Sequence, residues 1–147
     1  MTSTVQKIII GLVVAILLGL FVIGFLVGAV VYGWKAAQLA GNEAATQQNL
    51  KTIAAVEIQF YNTHNRNFGT FDQMIKEGML TSKFSGDPPA VDGYVFTLSV
   101  RPKAYTLNAD PQNANTGKNH FYVDSTSASI HVNPDRPAGA ADPPPVK

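Results

Sequence analysis

One run of side chains constrains this chain more than any other. From Ile8 to Trp34 the sequence reads IIIGLVVAILLGLFVIGFLVGAVVYGW with no charged residue. A helix needs roughly 20 apolar residues to cross about 30 Å of hydrocarbon, and this run is longer. It is apolar on every side, and a small domain has no room to wrap such a helix in a core, so lipid is the expected solvent. A cleaved signal peptide fits poorly, because its apolar core is usually about 7–15 residues and a small-residue cleavage site follows it. Lys7 and Lys35 bracket the run, while Tyr32 and Trp34 sit where amphipathic rings favour the interface. These four are the expected interface anchors. Gly24 and Gly28 make a small-xxx-small face on which another helix could approach closely, the candidate position for helix packing in the membrane.

The remainder of the 147 residues suffices for one small domain. Every acidic residue, from Glu43 to Asp142, lies after the apolar run, as do all basic residues except Lys7, and the formal net charge is +1. Neither a basic stripe nor a polybasic cluster is present, so nucleic acid is not an expected partner. The chain has no cysteine, which removes disulfides, thiolate metal sites and Cys nucleophiles. The expected division is a short flank over 1–7, a membrane helix over 8–34, a small domain over 35–133 and a disordered, Pro-rich tail over 134–147.

From Lys35 to about Asn62 there is no proline, and helix formers are frequent. The membrane helix is therefore expected to continue outward, to roughly 80 Å if unbroken, with Gly41-Asn42 the place for a bend. At 100° per residue, Leu50, Ile53, Ala54, Ile58, Phe60 and Tyr61 share one broad arc. Glu57 falls near the middle of that arc, where an ionised carboxylate needs donors from amides, a cation or a hydroxyl. It reads as a structural buried carboxylate holding the following loops to the helix. A catalytic acid reads less well, because no second carboxylate or nucleophile lies at a usable spacing.

Thr70-Phe71-Asp72-Gln73 matches a capping box and Gly78 supplies a stop, giving a short helix of about two turns. Phe84 to Asp92 reads as a loop. Four antiparallel strands follow in two hairpins: Gly93–Val100 with Ala104–Ala109, and His120–Asp124 with Ser129–Val132. One face of such a sheet must be covered, and the arc around Leu50–Tyr61 is the long surface available to cover it. The expected fold class is α+β, a long N-terminal helix packed on a four-stranded antiparallel sheet.

The order of parts resembles the type IV pilin and type II secretion pseudopilin family. The stretch Asn49-Leu50-Lys51-Thr52-Ile53-Ala54-Ala55-Val56-Glu57-Ile58-Gln59-Phe60-Tyr61 is similar to pilin-like sequences, as are Phe68-Gly69-Thr70-Phe71, Glu77-Gly78-Met79-Leu80, Asp92–Leu98 and Phe121–Asp124 in the same order. The likeness covers Ala44 to Val132 well and the membrane segment only generally. It implies a cytoplasmic N-terminus, a sheet outside the inner membrane, and partners among pilin-like subunits or secretion and pilus proteins of that membrane. Members usually carry a leader ending in Gly and then Phe-Thr-Leu-Ile-Glu, whose glutamate serves filament assembly. Lys7–Leu12 offers no such site and the span holds no carboxylate, so ordinary processing and polymerisation are not what these residues lead one to expect. A stand-alone tethered domain that binds a partner or ligand is the alternative reading. Pseudopilins also bind calcium near the last strands, yet Asp110 and Asp124 alone fall short of the six or more oxygens Ca²⁺ prefers.

No cofactor, metal or enzymatic activity is expected. His64, His120 and His131 are too scattered for a zinc pattern, the last two reading as solvent-facing strand residues. The sequence shows no Gly-rich phosphate loop, no G-x-S-x-G elbow and no carboxylate pair with helical spacing in a cleft-forming context.

Overall fold

A computed structural model describes residues 3–145. The chain divides into two compact units between Ala37 and Gln38. One helix, α1 (Thr4–Thr63), contributes to both.

In the first unit α1 carries its apolar side chains fully outward: Ile8, Phe21, Phe25 and Trp34 are all exposed. The helix satisfies its own backbone groups, and it is long and apolar enough to span a membrane.

In the second unit the rest of α1 packs on a sheet. Helical structure continues through Gly41-Asn42. Thr46, Asn49, Leu50, Ile53, Ala54, Glu57 and Phe60 are buried along it, a three-and-four spacing that keeps them on one face. Ile58, expected on that arc, is instead 54 % exposed. The buried stripe centres on the line through Ile53 and Glu57, and one further residue rotates Ile58 about 100° away from it. Tyr61, inside the arc, is half-buried and stacks on Phe68 with ring centroids 4.6 Å apart.

The capping box forms as the sequence indicates. The Gln73 amide donates to Thr70 Oγ1 (3.3 Å) and the Thr70 amide to Gln73 Oε1 (2.9 Å), starting α2 (Phe71–Lys76). Phe71 and Met74 are its buried residues, and Gly78, at φ 71°, ends the turn. A 3-10 turn at Ser82–Phe84 inserts Phe84 between Phe71 and Phe96.

The sheet has five antiparallel strands in sequence order: β1 (Ala90–Val91), β2 (Tyr94–Arg101), β3 (Ala104–Pro111), β4 (His120–Asp124) and β5 (Ser127–Asn133). The class is α+β as expected, with one strand more. β1 lies in the stretch expected to be a loop, where Asp92-Gly93 turns the chain so that Val91 pairs with Tyr94. Both turn residues have positive φ, 52° and 79°, the geometry that favours Asp-Gly in two-residue hairpins. Tyr94, Phe96, Leu107, Ala109, Phe121 and Val123 point to the helix side and are buried. Each large side chain of this set stabilises the domain by roughly 1.5–3 kcal/mol relative to exposure.

The segment beyond Asn133, expected to be a disordered tail, folds back over the sheet as far as it is described. The Val132 amide donates to the Pro143 carbonyl (2.9 Å), and Asn108 Nδ2 on β3 donates to the Ala138 carbonyl (2.9 Å). Ala138 is 5 % exposed. Prolines in an extended segment keep their carbonyls as acceptors, and β5, the last strand, had unpaired donors to meet them. Residues 146–147 of the expected tail lie outside the described residues.

Candidate functional site

In the first unit the site is a surface. Lys7 and Lys35 are exposed at its two ends, with Tyr32 and Trp34 also outward, at 77 % and 74 %. A Cβ placed on Gly24 or Gly28 would meet nothing within 4 Å, so that face is open to another helix or to lipid. No carboxylate occurs between Lys7 and Lys35. The arrangement is apolar and long enough to cross a membrane.

In the second unit Glu57 is fully buried. Its Oε2 accepts a 2.9 Å hydrogen bond from the Gly69 amide, while Oε1 has no partner among the described residues. Burial pushes the carboxyl up to about 7, and the Gly69 bond pulls only weakly the other way. Tyr105 on β3 is 3 % exposed, and its hydroxyl is raised to about 12 by burial first, then by the charges of Glu57 and Asp124. The link stays tight because Gly69 has no side chain: a Cβ there would meet Met74 and Phe60 at 3.0 Å. The hydrogen bond joins the helix to the loop that carries Gly69.

Sequence reasoning missed further polar joints along the same helix. Asn42 Nδ2 donates to the Thr116 carbonyl (2.8 Å). Glu43 accepts through Oε1 from the Lys118 and Asn119 amides (3.0 and 3.1 Å) and through Oε2 from Asn119 Nδ2 (2.7 Å). Asn49 bridges two segments: its Nδ2 donates to Asp92 Oδ2 and its Oδ1 accepts from Lys83 Nζ, each at 2.8 Å. One signal was present. Asn42, Thr46, Asn49 and Glu57 share the three-and-four spacing of the apolar stripe, so polar groups were destined for the covered face. The partners of Asn42, Glu43 and Asn49 lie 34 to 76 residues away, which local pattern does not specify.

The histidines each have a neighbour. His64 stacks on Phe60 at 3.8 Å, and its Nε2 lies 2.8 Å from Glu77 Oε1. His120 Nδ1 lies 2.6 Å from Asp110 Oδ1, and His131 Nδ1 lies against the Asp142 carbonyl. His120 and His131, expected to face solvent, are therefore half-buried on the outer face of the sheet, each engaged by a specific acceptor. The two carboxylates considered for calcium lie apart. Asp124 is in register with Thr106, whereas Asp110 is in register with Val95. Burial pushes Asp124 up, but donors from Thr126, Tyr122 and Ser127 outweigh it and hold the carboxyl below its ordinary range. Among the described residues no group of three or more His, Cys, Asp or Glu is placed to hold a metal.

The tail is fastened through Asp142. Its carboxylate accepts from Asn133 Nδ2, the Gly139 amide and Arg136, at 2.8–3.2 Å. Beside α2 a groove of about 250 Å³ is lined by Thr70, Phe71, Asp72, Gly86, Asp87 and Leu98.

No family model, curated protein or solved structure matches the chain.

Proposed function

We propose that this protein is a membrane-anchored, pilin-like structural or assembly component, held by α1 in the inner membrane with its N-terminus cytoplasmic and its sheet domain outside. The observation that carries the reading is the continuity of one helix: the charge-free segment leads directly into residues that form one wall of the head's core. A helix used this way ties the head to whatever the membrane segment packs against, which suits a subunit of an assembly. The order of apolar helix, head helix, short helix and antiparallel sheet supports the same reading, as does the similarity around Asn49–Tyr61. Cell fractionation tests it. Recovery of the protein with sheared filaments or with pilus or secretion complexes of the inner membrane is expected. Confinement to washed membrane, with no cross-linked pilin-like neighbour, would count against it.

A second reading has its own observation. The span lacks a carboxylate between Lys7 and Lys35, so it has no side chain to neutralise a neighbouring terminal amine in the bilayer. That favours a single-pass tether whose head binds a partner without filament assembly. The same fractionation separates the two.

A further inference from the structure

The rest of the chain treats the two edges of the sheet differently. At β5 the returning tail supplies the Pro143 carbonyl to the Val132 amide. At β2, β1 pairs only with Tyr94 and Val95, and the last bond on that side runs from the Phe96 amide to the Pro89 carbonyl (2.9 Å). Along an extended strand the amide and carbonyl of every second residue point the same way. Leu98 and Val100 therefore direct their backbone groups outward, beyond the reach of β1. Among the described residues nothing bonds to them on that side.

An open edge that keeps apolar side chains is unusual, because exposed edges invite pairing. Leu98 and Val100 are half-buried here, with no charge at either position. The groove beside them has Phe71 and Leu98 in its lining and Asp72 and Asp87 as its charged groups. Neither acid forms an ion pair or a side-chain hydrogen bond among the described residues.

We propose that this edge and groove dock an extended, cationic segment of a partner protein as an added strand. Its main chain pairs with Leu98 and Val100, and a Lys or Arg side chain reaches Asp72 and Asp87. Strand addition draws its affinity from backbone pairing, and the adjoining acids supply selectivity for a basic segment. A second copy of this chain is a poorer occupant. It would bring the same two acids, Asp72 and Asp87, to the edge in place of a cation.

The test uses the full chain in nanodiscs at one copy per disc, probed with the acetylated, amidated octapeptide TVKVTVKT and its acidic counterpart TVEVTVET. Saturation with the lysine peptide is expected to slow hydrogen exchange at Leu98 and Val100. Thr97 and Ser99, whose amides face β3, should not change. Asp72→Asn with Asp87→Asn should weaken the lysine peptide about tenfold at low salt. Val100→Pro removes an outward donor without breaking the β2–β3 ladder and should abolish the added protection. The proposal is overturned if neither peptide protects Leu98 and Val100, if both bind equally, or if the Asn pair binds as the wild type does. Protection of these amides without peptide, seen in multi-copy vesicles and lost in single-copy discs, would identify a second copy as the occupant and equally overturn it.

Discussion

The Gly69 amide reaches Glu57 Oε2 at 2.9 Å in a site sealed from solvent, and it is the one donor that this carboxylate has among the described residues. A buried carboxylate with a single neutral donor holds its proton more firmly than an exposed one.

That relationship fixes a pH dependence. The carboxyl rises from 4.5 to about 7 on folding, so the folded state binds the proton more tightly than the unfolded chain. Stability from this group is present below pH 4.5 and is lost as pH rises toward 7, by an amount on the order of 3 kcal/mol. Glu57→Gln keeps an acceptor for Gly69 and cannot ionise. Unfolding scans from pH 4.5 to 8 should show the wild type falling relative to the variant, with the variant the more stable at pH 8.

Two glycines should respond oppositely to alanine. Gly117 lies against Tyr94, whose hydroxyl donates to the Asn119 carbonyl (2.9 Å), and a Cβ there would overlap that ring. Gly117→Ala should destabilise the head by about 1–3 kcal/mol. Gly41 lies within α1 with nothing within 4 Å of its absent Cβ, so Gly41→Ala should stabilise by roughly 0.5–1 kcal/mol. Melting temperatures of the two variants check both signs.

Asn49 holds Lys83 and Asp92 together through its two amide atoms, at 7 % exposure. Asn49→Ala leaves both neighbours without this partner and should cost about 1–3 kcal/mol. Chemical denaturation measures the loss, and Asn49→Gln, which keeps the groups but moves them, should not restore it.

Asp142 pins the tail, and its carboxyl lies below the ordinary range because Asn133 and the Gly139 amide donate to it, with Arg136 nearby. This contribution is present above the ordinary carboxyl range and is lost as pH falls through the depressed value. Asp142→Ala should speed hydrogen exchange at Val132, whose amide meets Pro143, while Leu107 on the central strand stays protected.

The helices and most strands could be read locally because each carries its own signal: the charge-free run, the Thr70–Gln73 box, and the alternation in Tyr94–Val100. β1 escaped because two residues cannot show a period, although Asp92-Gly93 was a hairpin signal in plain sight. Ile58 was misplaced because a broad arc tolerates an apolar residue one step off the buried line. The tail misled because proline suggests solvated chain, whereas here Asp142 gathers donors that no composition rule reveals. For the head's polar joints, spacing placed Glu57 on the covered face, but its partner Gly69 sits in a loop whose path depends on the whole fold.

The central claim is that the residues from Ile8 to Trp34 lie in hydrocarbon with the sheet domain outside. Protease treatment of intact spheroplasts, followed by alkaline carbonate extraction and mass measurement of the retained fragment, tests it most directly. The account predicts a membrane-retained peptide that keeps the Ile8–Trp34 run and has lost the sheet. A full-length chain that resists the protease in intact spheroplasts, or that carbonate releases into the supernatant, would contradict it.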